Sequence, residues 1–272
     1  MEGIKRRTLL NESDVEWTDY CINHYIGCVH GCTYCYARKM HEAFWQGRWG
    51  KFQEVKPVLN ALDLLERDLR RRKPGTVLLS SMCDPYPPAE KRLRLTRRIL
   101  EKLLDTDFHV LVLTKSSLAW WDIDILQGHE NVELGVTLTT LSEQQAKRYE
   151  PRASPPEDRL HVLEIAHEFG VKTFVSIEPW IPGVTDPWAI VQRCRFVDRF
   201  IIGALNYHTV PQGFYRKELP KLEKKLEDAG VMYLLKKELI QKAGMGDLGY
   251  EIGDIGHKGA KINRGLHLQS NR

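Results

Sequence analysis

The sequence has no long apolar run and very little cysteine outside one short segment. None of the 272 residues belongs to an uninterrupted apolar stretch of 18 residues, which excludes a membrane-spanning helix. The first seven residues, Met1–Arg7, lack the apolar core of a secretory signal. The chain has six cysteines and three of them are clustered, a pattern that indicates metal binding in a reducing compartment and not a disulfide framework. We therefore expect a cytoplasmic protein.

Charge of one sign is also not abundant, because the formal net charge is only +4. The hydrophobic fraction of 42% and the charged fraction of 28% are ordinary for a globular protein. Basic residues are nevertheless concentrated in two places, 67–73 and 91–98. Such runs are most often solvated helix faces, which is the interpretation we favour. The alternative is a footprint for the phosphates of DNA or RNA.

The clustered cysteines are Cys28, Cys32 and Cys35, with Tyr34 directly before the third. Three thiolates at this spacing indicate a soft metal site, either zinc or an iron–sulfur cluster. A structural zinc site requires a fourth ligand, for which only His24 or His30 lies close in sequence. A [4Fe–4S] cluster bound by three cysteines instead leaves one iron open for chemistry. We favour the cluster and keep the zinc loop as the alternative.

Short apolar segments alternate with helical patterns along most of the chain. The predicted strands are one segment just before the cysteine loop, then 76–81, 109–114, 132–137, 172–177, 200–203 and, less clearly, 231–235. Near-continuous apolar strands between helices indicate a parallel sheet covered by helices. About six βα units predict an α/β fold, a partial or complete (β/α)6 TIM-like barrel. We expect one domain over residues 1–243, with a core at about 20–205, and a polar, glycine-rich tail over residues 244–272.

Polar side chains follow the predicted strands at the points where the strands end. They include Ser81, Asp84, Lys115, Thr137 and Glu178. The carboxyl ends of barrel strands meet at one face and form the active site there. Polar residues at five strand ends therefore predict that a polar ligand binds at the barrel mouth.

Several segments resemble one branch of a known superfamily. They are Asn23–Arg38, Asp84–Glu90, Leu113–Ser116, Tyr149–Arg152 and Glu178–Pro179. Together they are similar to the spore photoproduct lyase-like branch of the radical S-adenosylmethionine (SAM) superfamily. The resemblance implies a (β/α)6 partial barrel, one [4Fe–4S] cluster, and SAM lying across the strand ends. It also implies that SAM is cleaved reductively to a 5′-deoxyadenosyl radical, with electrons from a flavodoxin- or ferredoxin-like donor.

The resemblance assigns roles position by position. Cys28, Cys32 and Cys35 would ligate the cluster, and Tyr34 would lie against the adenine of SAM. Ser81 and Asp84 would approach SAM from the second barrel strand. Lys115 would bind the methionine carboxylate, Thr137 would lie near the ribose, and Glu178 would contact SAM or the substrate.

One position departs from the pattern of the lyase. The lyase carries a hydrogen-donating cysteine where this sequence has Ser81, and Cys83 follows two residues later. Side chains two residues apart on a strand share a face, so Cys83 is our candidate hydrogen donor. This departure leaves the substrate open among a nucleic-acid base or lesion, a peptide and a small metabolite. The alternative of another class is a zinc-loop protein that binds nucleic acid without catalysis.

Overall fold

The computed structural model describes residues 2–245 and the backbone of residues 261–263. The strands are β1 (Leu10–Glu12), β2 (Tyr20–Ile22), β3 (Tyr25–Ile26), β4 (Lys56–Pro57), β5 (Thr76–Leu79), β6 (His109–Thr114), β7 (Val132–Thr137), β8 (Lys172–Trp180), β9 (Arg199–Ala204), β10 (Tyr233–Leu235) and β11 (Lys261–Asn263). The α-helices are α1 (Tyr36–Phe44), α2 (Gln46–Trp49), α3 (Ala61–Leu69), α4 (Glu90–Leu93), α5 (Leu95–Leu104), α6 (Ile123–Leu126), α7 (Glu143–Tyr149), α8 (Pro156–Glu168), α9 (Pro187–Arg193), α10 (Phe214–Asp228) and α11 (Lys237–Lys242). A 3₁₀-helix covers Ser117–Asp122.

Nine strands form one sheet in the order β1-β2-β5-β6-β7-β8-β9-β10-β11. The seven strands from β2 to β10 are parallel, and β1 and β11 pair antiparallel at the two edges. The predicted α/β partial barrel is therefore confirmed, with the uncertain strand at 231–235 present as β10. Most of the predicted tail lies outside the described residues, and three of its residues form β11.

Helices cover the outer face of the sheet because their apolar residues recur every three or four positions. On α5 the buried side chains include Leu95, Ile99, Leu100 and Leu103, which is the spacing of one helix face. They pack against outward-facing strand residues in one large apolar cluster. No helix in the described part of the chain is long and apolar enough to span a bilayer.

The inner face of the barrel has its own apolar layer. Leu78, Leu111, Phe174, Ile201 and Leu234 come from five different strands and pack together with Trp17. Gly135 makes room for the ring in this layer, since a Cβ there would lie 2.3 Å from Phe174 Cζ. The layer fills the barrel below the carboxyl ends of the strands, so a ligand can enter only from that end.

The segment between β1 and β2 bridges the open side of the barrel. Lys237 N, just after β10, donates to Glu16 Oε2 at 3.0 Å. The Trp17 ring lies 4.8 Å from Lys236 Nζ. This loop thus joins the first and last parallel strands where no strand pairing does so among the described residues.

Candidate active site

The cysteine loop crosses the carboxyl ends of β2 and β5 and is held by its own backbone. Cys28 N donates to Phe52 O at 2.8 Å, and Thr33 N donates to Tyr149 O at 2.9 Å. Gly27 and Gly31 have φ values of +84° and +71°, a region that glycine adopts without strain. These turns place all three thiols, none in a disulfide, on one short loop.

The thiols of this loop fit a cationic iron cluster. Burial and the nearby charge of Asp84 raise the pKa of Cys28 well above its usual range. Burial also raises the pKa of Cys32 to about 11, and the neighbouring Cys35 thiol adds to this. Thiols so placed stay protonated until a metal supplies positive charge, because a coordinating thiol is deprotonated outright. The donor set therefore suits [4Fe–4S] iron.

Within residues 2–245, no three His, Cys, Asp or Glu side chains converge as the ligands of a single metal ion do. A cluster takes its cysteine ligands on separate irons, so its thiolates do not meet at one point. The two histidines that a zinc loop would use are also engaged elsewhere. His24 Nε2 lies 2.8 Å from Thr96 Oγ1, and His30 Nε2 lies 3.0 Å from Asp84 Oδ2.

Asp84 is the centre of a buried hydrogen-bond network at the end of β5. Its carboxylate accepts from Thr114 Oγ1 at 2.7 Å, Lys115 N at 2.8 Å and Tyr86 N at 2.9 Å, in addition to its contact with His30. Burial acts to raise the pKa of Asp84, but the His30 charge and these donors hold it well below its usual range. This carboxylate ties the cysteine loop to two strand ends.

A second buried network lies on the other side of the cysteine loop. Glu150 Oε2 and Arg159 Nη2 form an ion pair of 2.6 Å, with both side chains only 1% exposed. Tyr34 Oη donates to Glu150. The Lys115 ammonium lies 5.7 Å from the centre of the Tyr34 ring. Burial acts to lower the pKa of Lys115, but the charges of Cys32 and Glu150 outweigh it and raise the pKa. A cationic ammonium is thus held beside the cluster loop.

The residues after β5 surround the amide of Asn23. Asn23 Nδ2 lies 3.2 Å from Ser81 Oγ and 3.7 Å from Cys21 Sγ. Cys83 Sγ lies 3.8 Å from Asn23 Oδ1. Burial raises the pKa of Cys83 to about 12, so this thiol keeps its proton. Tyr36, on the first turn of α1, donates to Ser81 O.

Glu178 lies at the end of β8 and is paired across the mouth. Its Oε1 accepts from Lys236 Nζ at 2.5 Å. A Cβ on Gly203 of β9 would lie 2.9 Å from Glu178 Cγ and 2.9 Å from Lys236 Cδ. Glycine at that position therefore leaves space for the ion pair, which occupies the far wall of the mouth.

The structure brings the predicted site residues together in three groups. Tyr34, Asp84 and Lys115 adjoin the cysteine loop, Ser81 and Cys83 share Asn23, and Glu178 is apart. Thr137 is buried at the end of β7, and its carbonyl accepts from Arg159 at 2.8 Å.

The sequence reasoning assigned no role to Glu150, Asn23, Cys21, Lys236 or Arg159. Two of them stood in segments that carried the resemblance, Asn23 before the cysteine motif and Glu150 in Tyr149–Arg152. No local pattern marked Lys236, because its partner Glu178 is 58 residues away.

Comparisons with known proteins agree with this geometry. The model of the radical SAM superfamily matches residues 22–193. An uncharacterized protein of Methanocaldococcus jannaschii is 35% identical over 204 residues, covering 75% of this chain and 76% of its own. An uncharacterized protein of Acidianus two-tailed virus is 36% identical over 172 residues, and the chain spans 56% of its length.

Solved structures share the fold at low identity. A spore photoproduct lyase variant with dinucleoside spore photoproduct matches with a TM-score of 0.59 and 15% identity, covering 75% of this chain and 61% of that one. SuiB of Streptococcus suis bound to SAM matches with a TM-score of 0.52 and 12% identity, covering 80% of this chain and 47% of that one.

Proposed function

The chain belongs to the radical SAM superfamily, and on that premise we propose that it abstracts hydrogen from a nucleic-acid base or lesion. The family uses a [4Fe–4S] cluster and SAM, whose reductive cleavage supplies a 5′-deoxyadenosyl radical. Family membership sets aside the zinc-loop alternative. We keep the cytoplasm as the proposed compartment, because three cysteine ligands need reducing conditions.

The observation that carries the proposal is the placement of the three thiols over the ends of the parallel strands, between two buried polar networks. In our proposal Cys28, Cys32 and Cys35 hold the cluster. Tyr34, Ser81, Asp84, Lys115, Thr137 and Glu178 shape the SAM side of the mouth. Asp84 acts by holding Lys115 and His30, since its own acceptor sites are occupied by protein donors. The choice of a nucleic-acid substrate is supported by the lyase neighbour, which holds a dinucleoside lesion.

The protein's own contribution is placement and exclusion of water. The apolar layer below the mouth, with Leu111 and Phe174 at its centre, closes the barrel behind the ligand. A reactive carbon radical attacks neighbouring C–H bonds, so a dry and rigid site is required.

Lys115→Met is expected to weaken SAM binding about tenfold while the cluster stays bound. The change removes one charge-assisted hydrogen bond to a carboxylate, worth about 1.5–3 kcal/mol. Anaerobic calorimetry with SAM measures the affinity, and iron content checks the cluster. Lys102→Met on α5, where the ammonium pairs with Glu66 at 3.6 Å, is the matched control. Equal affinity of wild type and Lys115→Met would remove Lys115 from the SAM site.

Cys83 is the proposed hydrogen donor, and its variant tests both the donor and the substrate class. Cys83→Ala is expected to form 5′-deoxyadenosine within about twofold of the wild-type rate, because the thiol does not contact the cluster loop. With the wild type in deuterated water, the repaired or modified base should acquire deuterium through the exchangeable thiol. Product yield in the variant should fall about tenfold or more.

Cys194→Ala is the control, since that thiol is fully buried in the outer apolar cluster. Reconstituted enzyme is offered damaged DNA, RNA, a peptide pool and a metabolite pool, with deuterated SAM as tracer. Label exchange with peptide or metabolite alone would refute the nucleic-acid assignment. Product yield that is unchanged in Cys83→Ala would refute the donor role.

A further inference from the structure

The surface around the cysteine loop carries three arginines without an acidic partner. Arg38, Arg148 and Arg152 form this group, which we call the loop arginines. Arg148 and Arg152 are exposed and Arg38 is half-buried. Among residues 2–245, no carboxylate oxygen lies within 4.0 Å of their side-chain nitrogens. Their three charges are therefore available to a partner.

Each loop arginine is attached to the cysteine loop through a direct or one-residue contact. Arg38 Nη2 donates to Thr33 O at 3.4 Å. Arg152 N donates to His30 O at 3.0 Å. The Arg148 guanidinium lies 5.7 Å from the centre of the Tyr149 ring, and Tyr149 O accepts from Thr33 N. Thr33 is itself exposed. The segment between two cluster cysteines thus reaches the surface inside a basic frame.

Basic residues elsewhere are often neutralised. In the two clusters on the outer helices, Arg67 pairs with Asp68 at 2.7 Å, Arg72 with Glu12 at 2.8 Å and Arg97 with Asp124 at 2.7 Å. The solvated-face interpretation therefore holds for these residues. Lys147, adjacent to Arg148, pairs with Glu143 at 2.7 Å. The loop arginines differ in being unpaired at the place where the cluster is nearest to solvent.

We propose that the loop arginines dock a small acidic one-electron carrier protein of the flavodoxin class. The inference rests on the proposed function, because it requires a cluster behind the loop. In the docked pair the reduced flavin loses one electron and the oxidised cluster gains it. No bond is formed or broken and no atom is transferred. Opposite charge on the two surfaces steers the encounter and fixes the orientation.

A nucleic acid is the competing occupant of this surface. A nucleic-acid footprint combines cations with free aromatic faces for base stacking. The ring beside these arginines, Tyr149, is half-buried and covered by Arg148. The basic frame encloses the loop through which an electron must pass, and this favours the carrier.

The test compares Arg148→Glu/Arg152→Glu with wild type as the cluster-loaded protein under anaerobic conditions. Calorimetry with an oxidised acidic flavodoxin is expected to show binding weakened about tenfold or more at low salt. The difference should shrink toward none at about 0.5 M salt, where the Debye length is only a few ångströms. Stopped-flow reduction of the cluster by flavodoxin hydroquinone should slow by a similar factor. Reduction by dithionite at about 0.5 M salt should be unchanged.

Lys91→Glu/Arg92→Glu on α4 is the matched control, because it makes the same change in net charge at two exposed residues. Wild-type flavodoxin affinity in this control supports docking at the loop arginines. Equal losses in both double variants would overturn the proposal, since net charge alone would explain them. Loss of oligonucleotide binding with unchanged flavodoxin binding would also overturn it. If dithionite fails to support SAM cleavage, the proposed function fails, whereas the calorimetry still decides the docking surface.

Discussion

Cys32→Ala is expected to abolish cluster binding and to lower reductive SAM cleavage at least about a thousandfold. A cluster that has lost one of three thiolates loses both a ligand and the geometry that leaves a single iron open. Cys32 is buried, and its backbone carbonyl accepts from Cys35 N at 3.3 Å. The loop therefore cannot easily offer a substitute ligand in its place.

Iron content, visible absorbance and the yield of 5′-deoxyadenosine under reduction measure this outcome. Cys194→Ala removes an equally buried thiol far from the mouth in sequence and should retain iron and cleavage. The same loss is expected for Cys28→Ala and Cys35→Ala. A Cys32→Ala protein that keeps its iron and cleaves SAM at the wild-type rate would contradict the assignment of all three ligands.

The sequence was sufficient for the order of the barrel strands and for the cysteine loop. Parallel strands that are buried on both faces are continuous apolar runs, so β5, β6 and β7 could be predicted nearly to the residue. The cysteine spacing is local, and a local pattern needs no tertiary information.

Contacts between distant segments were not predictable in the same way. Asn60 was expected to cap α3 with its side chain, and it does precede that helix. Its amide instead bonds the backbone of Arg6, accepting from N at 3.1 Å and donating to O at 3.0 Å. The Glu178–Lys236 pair and the bridge from Glu16 to Lys237 likewise join segments 58 and 221 residues apart. Only the closing of the barrel brings such residues together.

The largest loss of stability is expected for Arg159→Met. Arg159 donates to Glu150, to Thr137 O at 2.8 Å and to Ser154 O at 2.7 Å. Removing one partner of a buried ion pair leaves an uncompensated charge and typically costs about 3–5 kcal/mol. Urea unfolding of the cluster-free protein measures the free energy without a contribution from iron loss. Arg193→Met is the control, because its guanidinium is 38% exposed, and exposed pairs are worth about 1 kcal/mol or less.

The pH dependence of this loss follows from Glu150. Burial acts to raise the pKa of Glu150, but the charges of Arg159 and Lys115 and the hydrogen bond from Tyr34 leave it lowered. A lowered native pKa contributes stability that is present above the unfolded value of about 4.5 and is lost as the pH falls below it. In Arg159→Met the carboxylate has lost its main counter-charge, so protonation relieves the variant. The stability gap between wild type and variant should therefore be widest near pH 7 and narrow below about pH 4.5. A gap that stays constant across this range would show that Arg159 acts through packing and its backbone hydrogen bonds, and not through the charge of Glu150.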